Sequence, residues 1–154
     1  YGNKASEVFY SHYEPSVAKA HTRSGTRSML EELGRRNVIR IILSNHNIPA
    51  INAQLERLKL VDHFDMVLAN EAGESPLHRG KQHRLERYLE TSHIKPSEAF
   101  IIGDSVEEIH IGKNLGLRTI AITGGCTDTK RLVATQPDAV IHAIHDLMEV
   151  MEDL

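Results

Sequence analysis

Apolar residues along the chain fall in short blocks divided by polar and glycine-bearing turns, and the period inside the blocks switches between helical and extended. Val8, Phe9, Tyr13 and Val17, at mixed helical spacing, predict one or two short helices between Ala5 and Ala20, with Pro15 as a break. Met29, Leu30 and Leu33 share one face of a helix from Thr26 to Arg36, which Thr22 or Ser24 can cap and Gly34 stops. The pattern then changes. Asn37 to Ser44 (NVIRIILS) is a β-branched run of buried-strand length, with Asn45, His46 and Asn47 read as the loop after it. A helix from Pro49 to Leu58 follows, then a strand from Met66 to Asn70, a loop from Glu71 to Pro76 and a helix from Gly80 to Glu90. Ala99 to Gly103 reads as a third strand, Ser105 to Asn114 as a helix and Arg118 to Thr123 as a fourth strand closing on Gly124 and Gly125. Ala139 and Val140 suggest a short fifth strand, and Asp146 to Asp153 a final helix.

Strands alternating with helices across short loops predict an α/β fold, a doubly wound parallel sheet with helices on both faces. Ligands of such sheets bind outside the carboxyl ends of the strands. Here those ends read Ser44-Asn45-His46, Asn70-Glu71, Gly103-Asp104-Ser105 and Thr123-Gly124-Gly125, all polar or glycine. Composition narrows the classes of partner. The 154 residues make one domain, and 18 Lys plus Arg against 21 Asp plus Glu leave a formal charge of −3, so nucleic acid is not an expected partner. The single cysteine, Cys126, excludes a disulfide scaffold. The longest apolar run, Val38 to Leu43, is interrupted by Arg40 and falls short of a bilayer span. With no signal-like stretch at the start, no membrane contact is expected, and the expected location is the cytoplasm.

Three strand ends carry candidate chemistry. Asp104 follows an apolar strand, and Glu108, one helical turn later, can fall on the same side, a pair of hard oxygen ligands suited to Mg²⁺. The plain alternative makes Asp104 a helix N-cap and Glu107 and Glu108 complements of the helix dipole. Ser44 and Asn45 can cradle a phosphate with a hydroxyl and backbone N–H groups, or simply close a turn. Lys81 opens a helix at the next strand mouth and can neutralise a phosphoryl group or a carboxylate. Its alternative is a solvated basic face shared with His78, Arg79, His83, Arg84 and Arg87. His142 and His145 would share a face if helical but have no third ligand, and Cys126 has no neighbouring base. GxGxxG, GxxxxGK[ST] and GxSxG are absent, which removes the main support for dinucleotide, P-loop and α/β-hydrolase readings.

The order of these parts is more specific than any one of them. IRIILSNHN with Ser44, Lys81 ahead of a helix, then IIGDSVEEI continued by GKNLG and RTIAITGG, resembles the haloacid dehalogenase-like superfamily of phosphatases and related hydrolases. The resemblance runs from about Ser24 to the C-terminus. It implies phosphoryl transfer to an Asp carboxylate of the protein, then hydrolysis of the aspartyl phosphate, on a small phosphorylated substrate. It also implies that Ser44 and Asn45 hold phosphoryl oxygens, that Lys81 offsets charge beside the nucleophile, and that Asp104 with Glu108 holds Mg²⁺. Those carboxylates argue against the dehalogenase branch, which works without Mg²⁺.

Two departures stand out. Glu108 replaces the usual Asp, and the family's first motif, DxDx[TV], is absent, since no Asp precedes Asp62. In the family that motif ends the central strand, between the strands ending at Ser44 and Asp104. The expectation is therefore an N-terminal segment, on the same or another chain, that supplies strand and nucleophile. Residues 1–22 would be the tail of a helical cap, and residues 23–154 a core lacking its first strand and inactive alone. The alternatives are a non-catalytic domain binding a phosphorylated ligand or protein partner, and a phosphoaspartate receiver domain, for which the acceptor and paired acids are not both present.

Overall fold

The structure is a computed structural model and describes residues 19–71 and 80–153. Local chemistry sets where each element starts and stops. Asn47 caps a helix by accepting from the Ala50 N–H at 2.9 Å, with Pro49 in the first turn, and left-handed Lys59 ends it. Ser105 caps the helix after the third strand by accepting from Glu107 N–H, and Gly116 (φ 76°) ends it. Asp128 caps the next by accepting from Lys130 and Arg131. The resulting order is α1 (Thr26–Arg35), β1 (Ile41–Asn47), α2 (Ile48–Leu58), β2 (Met66–Asn70), α3 (Lys81–Thr91) and β3 (Phe100–Gly103). It continues with α4 (Val106–Leu115), β4 (Arg118–Ile122), α5 (Thr129–Ala134), β5 (Ala139–Ile141) and α6 (Leu147–Asp153).

All strand pairs are parallel, as expected of an α/β fold. They form a two-stranded sheet, β1-β2, and a three-stranded sheet in the order β3-β4-β5. Adjacent positions point to opposite faces. Ile42 and Val67 pack with Leu30, Leu55 and Leu60 of the α1 and α2 side. Leu43 and Leu68 pack with Leu85 and Leu89 of α3, Ile101 of β3 and Ile111 of α4. In the larger sheet Ile120 and Ile122 join Ile141 and Leu147, while Ala121 joins Ile109 and Leu132 on the other face. Helices thus cover both faces, and the two sheets are joined by one cluster, that of Leu43, Leu68 and Ile101, and by Met29, which packs against both clusters of its face.

Several expectations need adjustment. The sheet lies in two pieces, because no strand pairs with both β1 and β3 among the described residues, and the gap falls between the strands where the resemblance set a missing one. β1 starts later and ends later than the apolar pattern suggests, running through Asn45, His46 and Asn47. Residues 37–40 are instead drawn into a connector: Asn37 is left-handed, the Val38 N–H donates to Leu33, and Arg40 N–H donates to Asp65 at 2.7 Å. At the other end, the Asn47↔Asn70 pairing across an irregular register keeps the polar residues in the strand. Neither Thr22 nor Ser24 caps α1; its N-cap is left-handed Gly25 without a side-chain cap, and Thr26 Oγ1 bonds back to Arg23 O. Helix α5 was not expected, being six residues with one buried side chain, Leu132. His142 follows β5 and His145 lies in the 3₁₀ turn Ile144–Asp146, so the two are not on one helix face. Of the helical tail expected over residues 1–22, residues 1–18 lie outside the described residues and 19–22 are not helical, and the loop expected from Glu71 to Pro76 lies outside them from residue 72 on. No helix among the described residues is long and apolar enough to cross a membrane.

Two predictions test this packing. Gly112 is where α4 meets the sheet: a Cβ there would sit 2.3 Å from Ile101 Cγ2 and 2.5 Å from Thr119 Cγ2. Both are methyls of β-branched strand residues that have little room to move. Gly112→Ala gains ~1 kcal/mol of helix propensity but overpacks the contact by about 1–3 kcal/mol, so urea unfolding should show a net loss. The second concerns a clasp between the start of β4 and the residue before β5. Asp138 Oδ2 accepts from Thr119 N–H at 2.6 Å and Thr119 Oγ1 at 2.7 Å, and Asp138 N–H donates to Oγ1 at 3.0 Å. The Thr119 hydroxyl, then its N–H, holds the Asp138 carboxyl below its ordinary range. A depressed carboxylate stabilises the fold above its unfolded value and loses that contribution as pH falls through the folded one. Stability should therefore fall on acidification, and Thr119→Val, measured by thermal melts at stepped pH, should flatten that slope.

Candidate active site

The carboxyl ends of β1, β2 and β3 meet the N-termini of α3 and α4 on one rim. Midway along β1, just past its apolar half, Ser44 Oγ accepts from the His46 N–H at 3.1 Å. That bond uses an acceptor position and leaves the hydroxyl proton available to an incoming anion. The Asn45 carbonyl is fixed from β2 by Asn70, which is fully buried and donates Nδ2 at 2.7 Å. The Ser44 carbonyl is fixed from α3 by Arg84 Nη2 at 3.1 Å. Both main-chain carbonyls of the Ser44-Asn45 step are therefore held from outside the strand.

Lys81 is the first residue of α3, and its side chain is only 11% exposed. A buried ammonium needs partners, and it has two. Nζ donates to Glu107 Oε2 at 3.0 Å and to Glu108 Oε1, while the Ser105 hydroxyl donates to Glu108 Oε2. Burial alone pulls Lys81 down, but the carboxylates of Glu108 and Glu107 outweigh it and leave Lys81 above its ordinary value. Burial pushes Glu108 up, and its bonds from Lys81 and Ser105 outweigh that, leaving it low. Asn45 Nδ2 reaches the same Glu107 carboxylate, at 3.1 Å to Oε2 and 3.4 Å to Oε1. His46 beside them is held below its ordinary value by burial and then by the Lys81 charge.

Asp104 lies just past β3 and is more open, 42% exposed. It is not the N-cap of α4; Ser105 is. One oxygen, Oδ2, accepts from Cys126 N–H at 3.2 Å and lies 4.0 Å from Arg23 Nη2, while Arg23 Nη1 donates to Thr123 O at 2.9 Å. Two glycines allow this geometry. A Cβ on Gly103 would lie 2.4 Å from Glu108 Cβ, and one on Gly125 would lie 1.9 Å from Asp104 Oδ2. The glycine in GDS and the second in TGG therefore make room for the two carboxylates.

Of the residues singled out from sequence, Asn45, Lys81 and Glu108 form one bonded network, with Ser44 beside it and Asp104 next to Ser105 on the outer side. Sequence reading gave Glu107 only a dipole role, Asn70 and Arg84 no role in the site, and Arg23 none at all. Asn70 is legible as a polar residue closing an apolar strand. Arg23 is not, because it meets Thr123 100 positions away. The Cys126 thiol is exposed and free, and only its backbone serves Asp104.

Among the described residues no group of three His, Cys, Asp or Glu side chains forms a metal cage. The hard, open carboxylate of Asp104 fits Mg²⁺ of the kind held by one or two carboxylates plus water and substrate oxygens. Both Glu108 oxygens already accept, one from Lys81 and one from Ser105.

Residues 2–122 match the haloacid dehalogenase-like hydrolase family, more than half of the chain, and the protein belongs to that family. It is 28% identical to the phosphoglycolate phosphatase of Synechococcus elongatus over 130 residues, which cover 84% of this chain and 59% of that protein. It is 25% identical to the pyrophosphatase PpaX of Bacillus cereus over 145 residues, 94% of this chain and 65% of that protein. Among solved structures, a haloacid dehalogenase-like family hydrolase from Streptococcus pneumoniae superposes with a TM-score of 0.81 at 22% identity, over 96% of this chain and 69% of that one. The chain thus spans 59–65% of the length of these two curated relatives.

The buried network yields a stability prediction. Removing Lys81 leaves Glu108, 13% exposed, without its cation. Lys81→Met should cost roughly 3–5 kcal/mol in urea unfolding at neutral pH, the usual cost of breaking one side of a buried pair. Adding Glu108→Gln should recover a large part of that loss, and purely additive effects in the double-mutant cycle would contradict the pairing.

Proposed function

We propose that the full-length protein is a Mg²⁺-dependent phosphatase of a small phosphorylated substrate, working through an aspartyl phosphate. The observation that carries this reading is the meeting, on one rim, of Ser44 and Asn45 from β1, Lys81 from α3 and the acids that open α4. A fold of two half-sheets brings a serine hydroxyl, a buried ammonium and carboxylates together from three chain segments. Membership of a hydrolase family and similarity to two phosphate-releasing enzymes support the same reading.

On this reading the Ser44 hydroxyl and the Asn45 N–H donate to phosphoryl oxygens, and Asn70 and Arg84 keep that step of the strand from shifting. Lys81 stays protonated across neutral pH because Glu107 and Glu108 hold it so, and its charge offsets that of the phosphoryl group. Asp104 would hold Mg²⁺, oriented by Cys126 N–H. When bound, that ion supplies positive charge to the phosphoryl oxygens. The aspartyl nucleophile has no counterpart in these 154 residues, so the reading requires it from a segment outside them.

The full-length gene product should hydrolyse an aryl phosphate in Mg²⁺ and lose turnover in EDTA. 2-Phosphoglycolate and inorganic pyrophosphate are the first natural compounds to try, given the relatives. Asp104→Ala should reduce kcat about a hundredfold or more, in line with removing one electrostatic element of a phosphoryl-transfer site. Undiminished turnover in that variant would reject the assignment, and no hydrolysis by the parent protein would favour a binding domain.

A further inference from the structure

Two donors beside the Ser44 hydroxyl and the Asn45 N–H, the Asn45 side-chain amide and the Lys81 ammonium, are already taken. Asn45 Nδ2 and Lys81 Nζ both donate to one oxygen, Glu107 Oε2, at 3.1 and 3.0 Å. A phosphoryl oxygen placed between that amide and that ammonium would occupy the same position with the same sign of charge. We propose that Glu107 is a built-in competitor for the phosphate cradle, a carboxylate that holds the substrate's donors until an anion displaces it. This inference rests on the phosphatase reading of the same site.

The rest of the network supports displacement over permanent structure. Lys81 carries one positive charge and faces two carboxylates, so the cluster as it stands has an excess of negative charge and repels a phosphate. Glu108 is the more deeply seated of the two, 13% exposed and also held by Ser105. Glu107 is 31% exposed, and its side-chain partners among the described residues are Asn45 Nδ2 and Lys81 Nζ. When Glu107 leaves, Glu108 keeps the buried ammonium paired, so release does not strand a buried charge. Asn45 also carries a sign of this arrangement. With its amide turned to Glu107, its Oδ1 is buried without a hydrogen-bond partner among the described residues. That orphaned acceptor is a cost of the resting arrangement which rotation of the side chain can relieve once Glu107 moves.

The consequence is a trade between affinity and selectivity. A ligand must supply enough negative charge to replace a carboxylate on two donors, which a phosphate monoester does and a neutral or weakly charged compound does not. Glu107 would thereby select for anionic substrates at the expense of ground-state affinity. A positioning role predicts the opposite, since loss of the carboxylate would then weaken binding.

The test is calorimetric titration of inorganic phosphate into the full-length gene product and its Glu107→Ala and Glu107→Gln variants, with Ser44→Ala as the check on location. Glu107→Ala should bind phosphate about tenfold more tightly, the equivalent of one charge-assisted bond no longer competed for. Glu107→Gln preserves shape and folding, and should also bind more tightly. Equal or weaker binding in both variants, with parent binding abolished by Ser44→Ala, overturns the inference and leaves the cradle standing. Phosphate binding that Ser44→Ala does not affect, or none in any protein, overturns the cradle reading and the inference with it.

Discussion

The ion pair that fastens Lys81 to the start of α4 is the constraint on which the rest of the site depends. An ammonium 11% exposed cannot be left alone, because taking it out of water costs several kcal/mol. Its partners come from α4, which packs on the three-stranded sheet, whereas α3 also packs on the two-stranded one. Electrostatics therefore ties the two half-sheets at the rim, while the cluster of Leu43, Leu68, Leu85, Leu89 and Ile101 joins them beneath it. The apolar contact is non-directional and tolerates sliding; the ion pair is directional and does not. Together they fix which residues of β1 face which residues of α4, and Asn45 meets Glu107 as a result.

Much of this was legible in the sequence, for reasons that differ by element. The helices and strands with clear periodicity appeared where expected, because one face of each had to be buried. Ser44 and Asp104 stood out as polar residues directly after apolar runs, and Lys81 as the residue that opens the helix after β2. The boundary of β1 was misread because its last three residues are polar, and only pairing to β2 and the capping of α2 by Asn47 keep them extended. The division of the sheet is not readable from periodicity, which reports burial and not which strands are neighbours; the family resemblance is what set a missing strand between those ending at Ser44 and Asp104. Glu107 was missed for a related reason. At sequence level it is one of two adjacent acids in a helix's first turn, and its role depends on Asn45 62 positions away.

Glycines decide how closely the carboxylates can approach the strands. Gly103 lets Glu108 fold back onto the end of β3, Gly125 makes way for Asp104, and Gly112 lets the body of α4 lie against Ile101 and Thr119. Gly103 and Gly112 each remove a Cβ at a different height of the contact between α4 and its sheet, and Gly125 removes one in the loop after β4 beside Asp104. The helix therefore lies closer to the sheet than one with side chains at these positions could. Because α4 carries both Glu107 and Glu108, its closeness sets how far those carboxylates extend toward Lys81. Packing and electrostatics are thus one design: the small residues set the distance at which the charges meet.

This arrangement also divides labour between the two acids on α4. Glu108 is enclosed, bonded on both oxygens, and compensates the buried lysine whatever else happens at the rim. Glu107 is half-exposed and bonded to groups that an anion also needs. A single carboxylate could not do both, since releasing Lys81 to a ligand would then leave an unpaired charge in the unliganded protein. Two acids on successive residues solve this because a helix turns by about 100° per residue, sending one side chain inward and the next toward the rim. On the proposed reading of Glu107, the adjacent pair that looked like a simple complement to a helix dipole separates stability from ligand response.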